Sequence, residues 1–161
     1  MKKYLKYKIF DPLLGFLKQG MSPKKLALTL ALGITFGIMP FMGVSTYLLI
    51  IIALIFKLNI AALQIVNYAV YVIQITLFVP FLKFGQFVFN GPKLPFELSN
   101  VIGRLQTKFW DTLDAIWQVN ALGLVVWAIL IIPLGFAIYY ASLPFFIRKQ
   151  QKFALEAVPV H

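Results

Sequence analysis

The sequence predicts an all-α integral membrane protein: a broken helical hairpin, re-entrant or built of two short spans, two full transmembrane helices, and amphipathic helices at the interfaces. Three observations carry this reading. The 161 residues are 61% hydrophobic and 12% charged, about half the charge of an ordinary soluble domain, so lipid is the expected solvent. An uncharged run of 31 residues, Leu26 to Phe56, is interrupted by Gly37, Pro40 and Gly43. The charges are sorted, with seven lysines against one acid in residues 1–25 and a second basic group at Arg148, Lys149 and Lys152. No room is left for a separate soluble domain, and the whole of 1–161 reads as one membrane domain.

Residues 1–20 form the first expected element, a basic interfacial helix. Leu5, Ile9, Leu13, Phe16 and Leu17 recur at helical spacing, and Lys2, Lys3, Lys6 and Lys8 are placed to contact anionic lipid, each contributing about 1 kcal/mol near the surface. The same lysines also suit the plainer role of orienting the chain during insertion. Asp11 and Pro12 make a helix start, and Gly20 a stop. A cleaved signal peptide is a poor reading of this segment, because the apolar run begins only after Lys25 and ends without a small-residue cleavage site.

Residues 23–56 are the broken hairpin. Ser22 and Pro23 start its first helix, and Gly33 with Gly37, four residues apart, offer a face for close helix packing. Pro40 and Gly43 supply the turn. A bilayer core of about 30 Å needs ~20 helical residues, so the run is too long for one span and too short for two ordinary ones. Charge selects between the alternatives. A single crossing puts the two basic ends on opposite sides of the membrane, whereas a hairpin puts the N-terminus, Lys57 and Arg148 to Lys152 together on the cytoplasmic side, as the positive-inside rule asks.

Residues 60–82 are the expected transmembrane helix that follows. Gln64, Asn67, Tyr71 and Gln74 lie on one face of it, at spacings of three, four and three. Such a stripe is either hydrogen-bonded glue between helices or the wall of a polar substrate path. After Pro80 the chain is expected to turn through Asn90, Gly91, Pro92 and Pro95. Residues 97–118 show an amphipathic period with too many charges to cross, and are expected in the outer interface or packed over the bundle. Residues 121–147 are the last transmembrane helix, bent or shortened by Pro133 and Pro144, and 148–161 a loose basic tail.

The chemistry excluded is broad. With no cysteine and a histidine only at position 161, thiolate, disulfide and imidazole chemistry have no basis. The five acids, Asp11, Glu97, Asp111, Asp114 and Glu156, lie outside the expected spans. Asp111 and Asp114 share a helix face but read as a solvated face beside Lys108. No phosphate-binding or dinucleotide loop is present, and the basic start flanks a membrane span, which argues against nucleic acid. The expectation is no catalytic residue, no metal, no cofactor and no enzyme activity.

Gly20, Pro23, Ala27, Gly33, Gly37, Pro40, Gly43 and Thr46, followed by Asn59, resemble the pattern of the bacterial membrane-protein family known as domain of unknown function 2062. The likeness covers roughly residues 18–90, and the family's Asn-Pro element is altered here to Asn67-Tyr68. It implies a bacterial inner-membrane protein in cell-envelope biogenesis, and, because some members are joined to glycosyltransferase domains, a glycosyltransferase as partner. Two functions then stand as expectations. One is transport or translocation of a small solute or lipid-linked substrate along the polar stripe. The alternative is a non-catalytic accessory or scaffold subunit that anchors a cytoplasmic partner. Membrane lipid is the expected partner in both, with a second copy of the chain or another membrane protein as further candidates.

Overall fold

The computed structural model describes residues 11–18, 21–41, 43–90, 102 and 106–156. Regular structure among them is entirely helical: α1 (Asp11–Lys18), α2 (Pro23–Gly37), α3 (Val44–Ile55), α4 (Ile60–Ala69), α5 (Tyr71–Phe89) and α6 (Phe109–Glu156). Two helices, α5 and α6 as far as Leu155, are long and apolar enough to cross a membrane. Only 17% of the most apolar 18-residue window of each is buried within the protein, so most of that apolar surface faces outward, as lipid allows.

The hairpin follows from local chemistry. Ser22 caps α2, its Oγ accepting from the Lys25 amide at 3.4 Å, and Pro23 opens the first turn, where a missing N–H costs nothing. Beyond Gly37 the chain leaves the helix. It re-enters α3 through Gly43, whose φ of 84° lies in the left-handed region. An added Cβ disfavours that region by about 1–2 kcal/mol. The start of α2 then meets the end of α3: Lys25 Nζ donates to the carbonyl of Lys57 at 3.1 Å. Fifteen and twelve residues long, the two arms extend only ~22 Å and ~18 Å.

Asn59 caps α4, its Oδ1 accepting from the Ala62 amide at 2.9 Å, and α4 runs back beside α2. Gly33 faces Val66, and Gly37 faces Val70. A Cβ on Gly33 would lie 2.7 Å from Val66 Cβ, and one on Gly37 would overlap Val70 Cγ2. The pair singled out for close packing therefore receives α4. On the opposite flank α6 runs antiparallel to α2, with Trp127 beside Phe36 and Tyr139 and Tyr140 level with Lys24 and Lys25.

Several expected boundaries shift. The single span over 60–82 is instead two helices separated at Val70, which sits at φ −92°, ψ 2°. No glycine or proline marks that break; it falls where Val70 meets Gly37 and where Gln74 is drawn to the hairpin turn. The helix does not stop after Pro80 but continues to Phe89 and closes on Asn90, in left-handed conformation at φ 48°. Pro133 and Pro144 likewise lie inside α6. A proline removes one backbone bond, and packed neighbours and local adjustment make that tolerable in apolar helices.

The interfacial helix over 97–118 and the span over 121–147 are also not separate. From Phe109 onward they form one helix of 48 residues that includes Arg148 to Glu156 of the expected loose tail; residues 97–101 and 103–105 lie outside the described set. At the start of α6 Phe109 and Leu113 are exposed, while Thr112 and Val119 are buried, in phase with Gly123 and Trp127 further along it. Of the 1–20 helix only Asp11–Lys18 is described, and Leu13 there is fully buried in the same core as Phe146.

Candidate functional site

The polar stripe is the first place to look for function, and three of its members, Gln64, Asn67 and Gln74, reach toward the hairpin turn. Gln64 Nε2 donates to the carbonyl of Thr46 at 3.1 Å. Asn67 Nδ2 donates to Gln64 Oε1 at 3.1 Å and lies 3.4 Å from Thr46 Oγ1. Gln74 Nε2 donates to the carbonyl of Met39 at 2.7 Å, a buried bond across 35 residues of chain. Gln64 and Asn67 come from α4 and Gln74 from α5, so both sides of the Val70 break grip the hairpin turn. Thr46 lies in the first turn of α3 and Met39 just past the end of α2, so the amides bridge the two ends of that turn.

The physical logic is that of orphaned backbone groups. A helix leaves its last carbonyls without an internal donor, and a buried acceptor left empty costs roughly 1–3 kcal/mol. At the end of α2 the carbonyl of Thr35 is such a group, while that of Met39, just past the helix, also accepts from the Phe41 amide at 2.7 Å. Gln74 covers Met39, and Trp127 Nε1 of α6 donates to the carbonyl of Thr35 at 2.8 Å. The hydroxyl of Thr35 turns back onto Ala31 O at 2.8 Å. No buried side-chain nitrogen or oxygen among the described residues lacks a partner.

Tyr71 differs from the rest of the stripe. It is 44% exposed, because the break at Val70 turns it away from the face that Asn67 and Gln74 share. Pro40 is buried at the turn and Gly43 starts the returning arm. Lys2, Lys3, Lys6 and Lys8 lie outside the described residues.

The two ends of the bundle differ in character. Lys24, Lys25 and Lys57 gather at one end near Tyr139 and Tyr140. At the other, a cavity of about 660 Å³ lies between Pro40 and Phe41 of the turn and Trp110, Asp114, Trp117 and Asn120 of α6. Asp114 accepts from Gln118 Nε2 at 2.7 Å, and Asn120 donates to Ile116 O at 2.9 Å, so the polar groups there are engaged along their own helix. Among the described residues no three of His, Asp or Glu come together as a metal site.

Sequence reasoning missed Trp127 and the contact of Gly85 with Leu122 and Gly123. A tryptophan in the middle of an apolar span, away from the expected aromatic belt, was the available signal for the first. Gly85 carried none, since its meaning depends on which backbone crosses it.

Comparison with characterised proteins and with solved structures finds no match. A family model does match, over residues 5–153, which is most of the chain and includes the hairpin, the amides that grip its turn and nearly all of α6. The protein therefore belongs to the family described as an uncharacterized protein conserved in bacteria, domain of unknown function 2062.

Proposed function

We propose that this protein is a multi-pass protein of the bacterial inner membrane, with both termini cytoplasmic, that serves as a non-catalytic accessory or scaffold subunit for a cytoplasmic partner. One observation carries the choice: Gln64, Asn67 and Gln74 direct their amides at the hairpin turn. Groups engaged in this way hold helices together and are not open to a passing solute. The orientation is supported by the meeting of Lys25 and Lys57 at one end of the bundle, the end that the positive-inside rule assigns to the cytoplasm. A glycosyltransferase is the partner implied by the family likeness, and the lysine-rich start is its docking surface.

The test replaces Lys2, Lys3, Lys6 and Lys8 by Gln, which leaves Leu13 in the core. The variant is expected to keep its thermal stability in detergent and to lose a co-purifying cytoplasmic protein. Full retention of that protein would sink the docking role.

The competing reading, passage of a small solute or lipid-linked substrate, is favoured by the outward turn of Tyr71 on the same stripe. Asn67→Leu with Gln74→Leu separates the two. A scaffold loses stability because the turn is unclamped. A path loses flux as well.

A further inference from the structure

The end of the bundle that carries Lys24 and Lys25 opens into a groove of about 630 Å³ between α2 and α6. Its walls follow helical spacing on both sides: Leu28 and Leu32 from α2, Ile131 and Gly135 from α6. Gly135 is what makes the groove. A Cβ there would have only Thr35 Cγ2 as a neighbour, at 3.7 Å, so the absent side chain leaves room that no other group fills.

The mouth differs from the walls. Lys24 and Lys25 are exposed there beside Tyr139 and Tyr140. The Lys25 ammonium gives one bond to the carbonyl of Lys57, which fixes it at the rim and leaves two further N–H donors. From Lys25 to Phe36, the deepest wall residue on α2, the groove runs ~16 Å at 1.5 Å per residue. That matches the ~15 Å of hydrocarbon in one leaflet.

We propose that this groove holds one anionic phospholipid, with its phosphate at Lys24 and Lys25 and one acyl chain along the α2–α6 seam. Charge complementarity selects the headgroup: two ammonium groups and no carboxylate line the groove. The length of the apolar wall selects a chain and not a compact solute. The inference needs the membrane setting proposed above but not the cytoplasmic partner, so loss of that partner leaves it untouched.

The experiment is native mass spectrometry of the full chain released from an equimolar mixture of phosphatidylglycerol and phosphatidylcholine. Wild type should retain one phosphatidylglycerol per chain, with a preference of about thirtyfold, as two lysines near a lipid surface supply. Lys24→Gln with Lys25→Gln should abolish the preference, with the melting temperature falling only by the share of the one exposed bond from Lys25 to the Lys57 carbonyl. Gly135→Leu, which fills the groove, should reduce retention of both lipids. If that variant does not fold, Leu28→Trp narrows the same groove from the opposite wall and serves in its place.

Equal retention of the two lipids by wild type, or a preference that survives loss of both lysines, would overturn the proposal. So would unchanged retention with the groove filled. Ile132→Cys at the open lip covers the remaining occupant: it should stay monomeric on oxidation, and a disulfide-linked dimer would place a second copy of the chain where the lipid belongs.

Discussion

Two glycine contacts hold this bundle, and they differ in what the glycine faces. Along α2, a Cβ on Gly37 would overlap a methyl of Val70, and the next atoms, from Asn67, lie at 3.2 Å and beyond. At the α5–α6 crossing, a Cβ on Gly85 would lie 2.8 Å from the Leu122 carbonyl carbon and 2.9 Å from the Gly123 nitrogen. The first glycine makes room for a side chain and the second for a backbone. A side chain can be trimmed to relieve a clash. A backbone can relieve it only if two helices move apart.

The largest expected effect follows from that difference. Gly85→Leu should destabilise the protein by more than about 3 kcal/mol, above the usual range for overpacking, and no single partner substitution should restore it. Thermal unfolding in detergent measures this; rescue by Leu122→Ala would show that the contact is with a side chain after all. Gly37→Ala should cost about 1–3 kcal/mol, and adding Val70→Ala should recover most of it. A double variant as unstable as the sum of the two singles would remove the distinction between the regions.

The amide clamp sharpens the comparison, since it ties the α2 contact to the turn. Gln74→Leu removes the side-chain donor to the carbonyl of Met39, which keeps the Phe41 amide, and should lower stability by about 0.5–1.5 kcal/mol. Cysteine labelling at Phe41, which is half-buried, should rise in the same variant; unchanged labelling would mean that the turn is held without Gln74. The smallest effects separate glycines by conformation instead of space. Neither Gly43 nor Gly15 has a neighbour within 4 Å of an added Cβ, yet only Gly43 has positive φ. Gly43→Ala should cost about 1–2 kcal/mol, while Gly15→Ala, in the interior of α1, should stabilise by about 0.5–1 kcal/mol. Equal effects at the two positions would contradict the φ at Gly43.

Much of this was readable from residue types because local signals report local dihedrals. Ser22-Pro23, Gly43, Asn59 and Asn90 each mark a helix end at or beside the place where the structure has one. Gly33 and Gly37 advertise a close neighbour whatever that neighbour is. Other positions were misread because their signals are conditional. Pro80, Pro133 and Pro144 weaken a helix by one bond each, and the surrounding apolar helix continues through them. The amphipathic period of 97–118 marks a helix but does not announce that Thr112 and Val119 are the residues packed inside.

The stripe shows where the division falls. Spacing alone put Gln64, Asn67 and Gln74 on one face and left open whether they served a path or a contact. Their partners are Thr46 and Met39, up to 35 residues away in the chain, and nothing local to an amide says which carbonyl it will reach. The same holds for the interruption at Val70, which has no glycine or proline to announce it.

Composition, charge order and the helix-start and turn residues by themselves determined an all-helical chain with apolar spans, a hairpin over residues 23–56, and Lys25 and Lys57 together at one end. Tertiary structure alone decided the pairing of Gly37 with Val70, the crossing at Gly85, the union of Phe109 to Glu156 in one helix, and the use of the amides as a clamp. The reason is range. Backbone preferences and solvent partition act on a residue and its immediate neighbours, whereas a buried carbonyl or an absent Cβ acquires its meaning from whatever the fold brings against it.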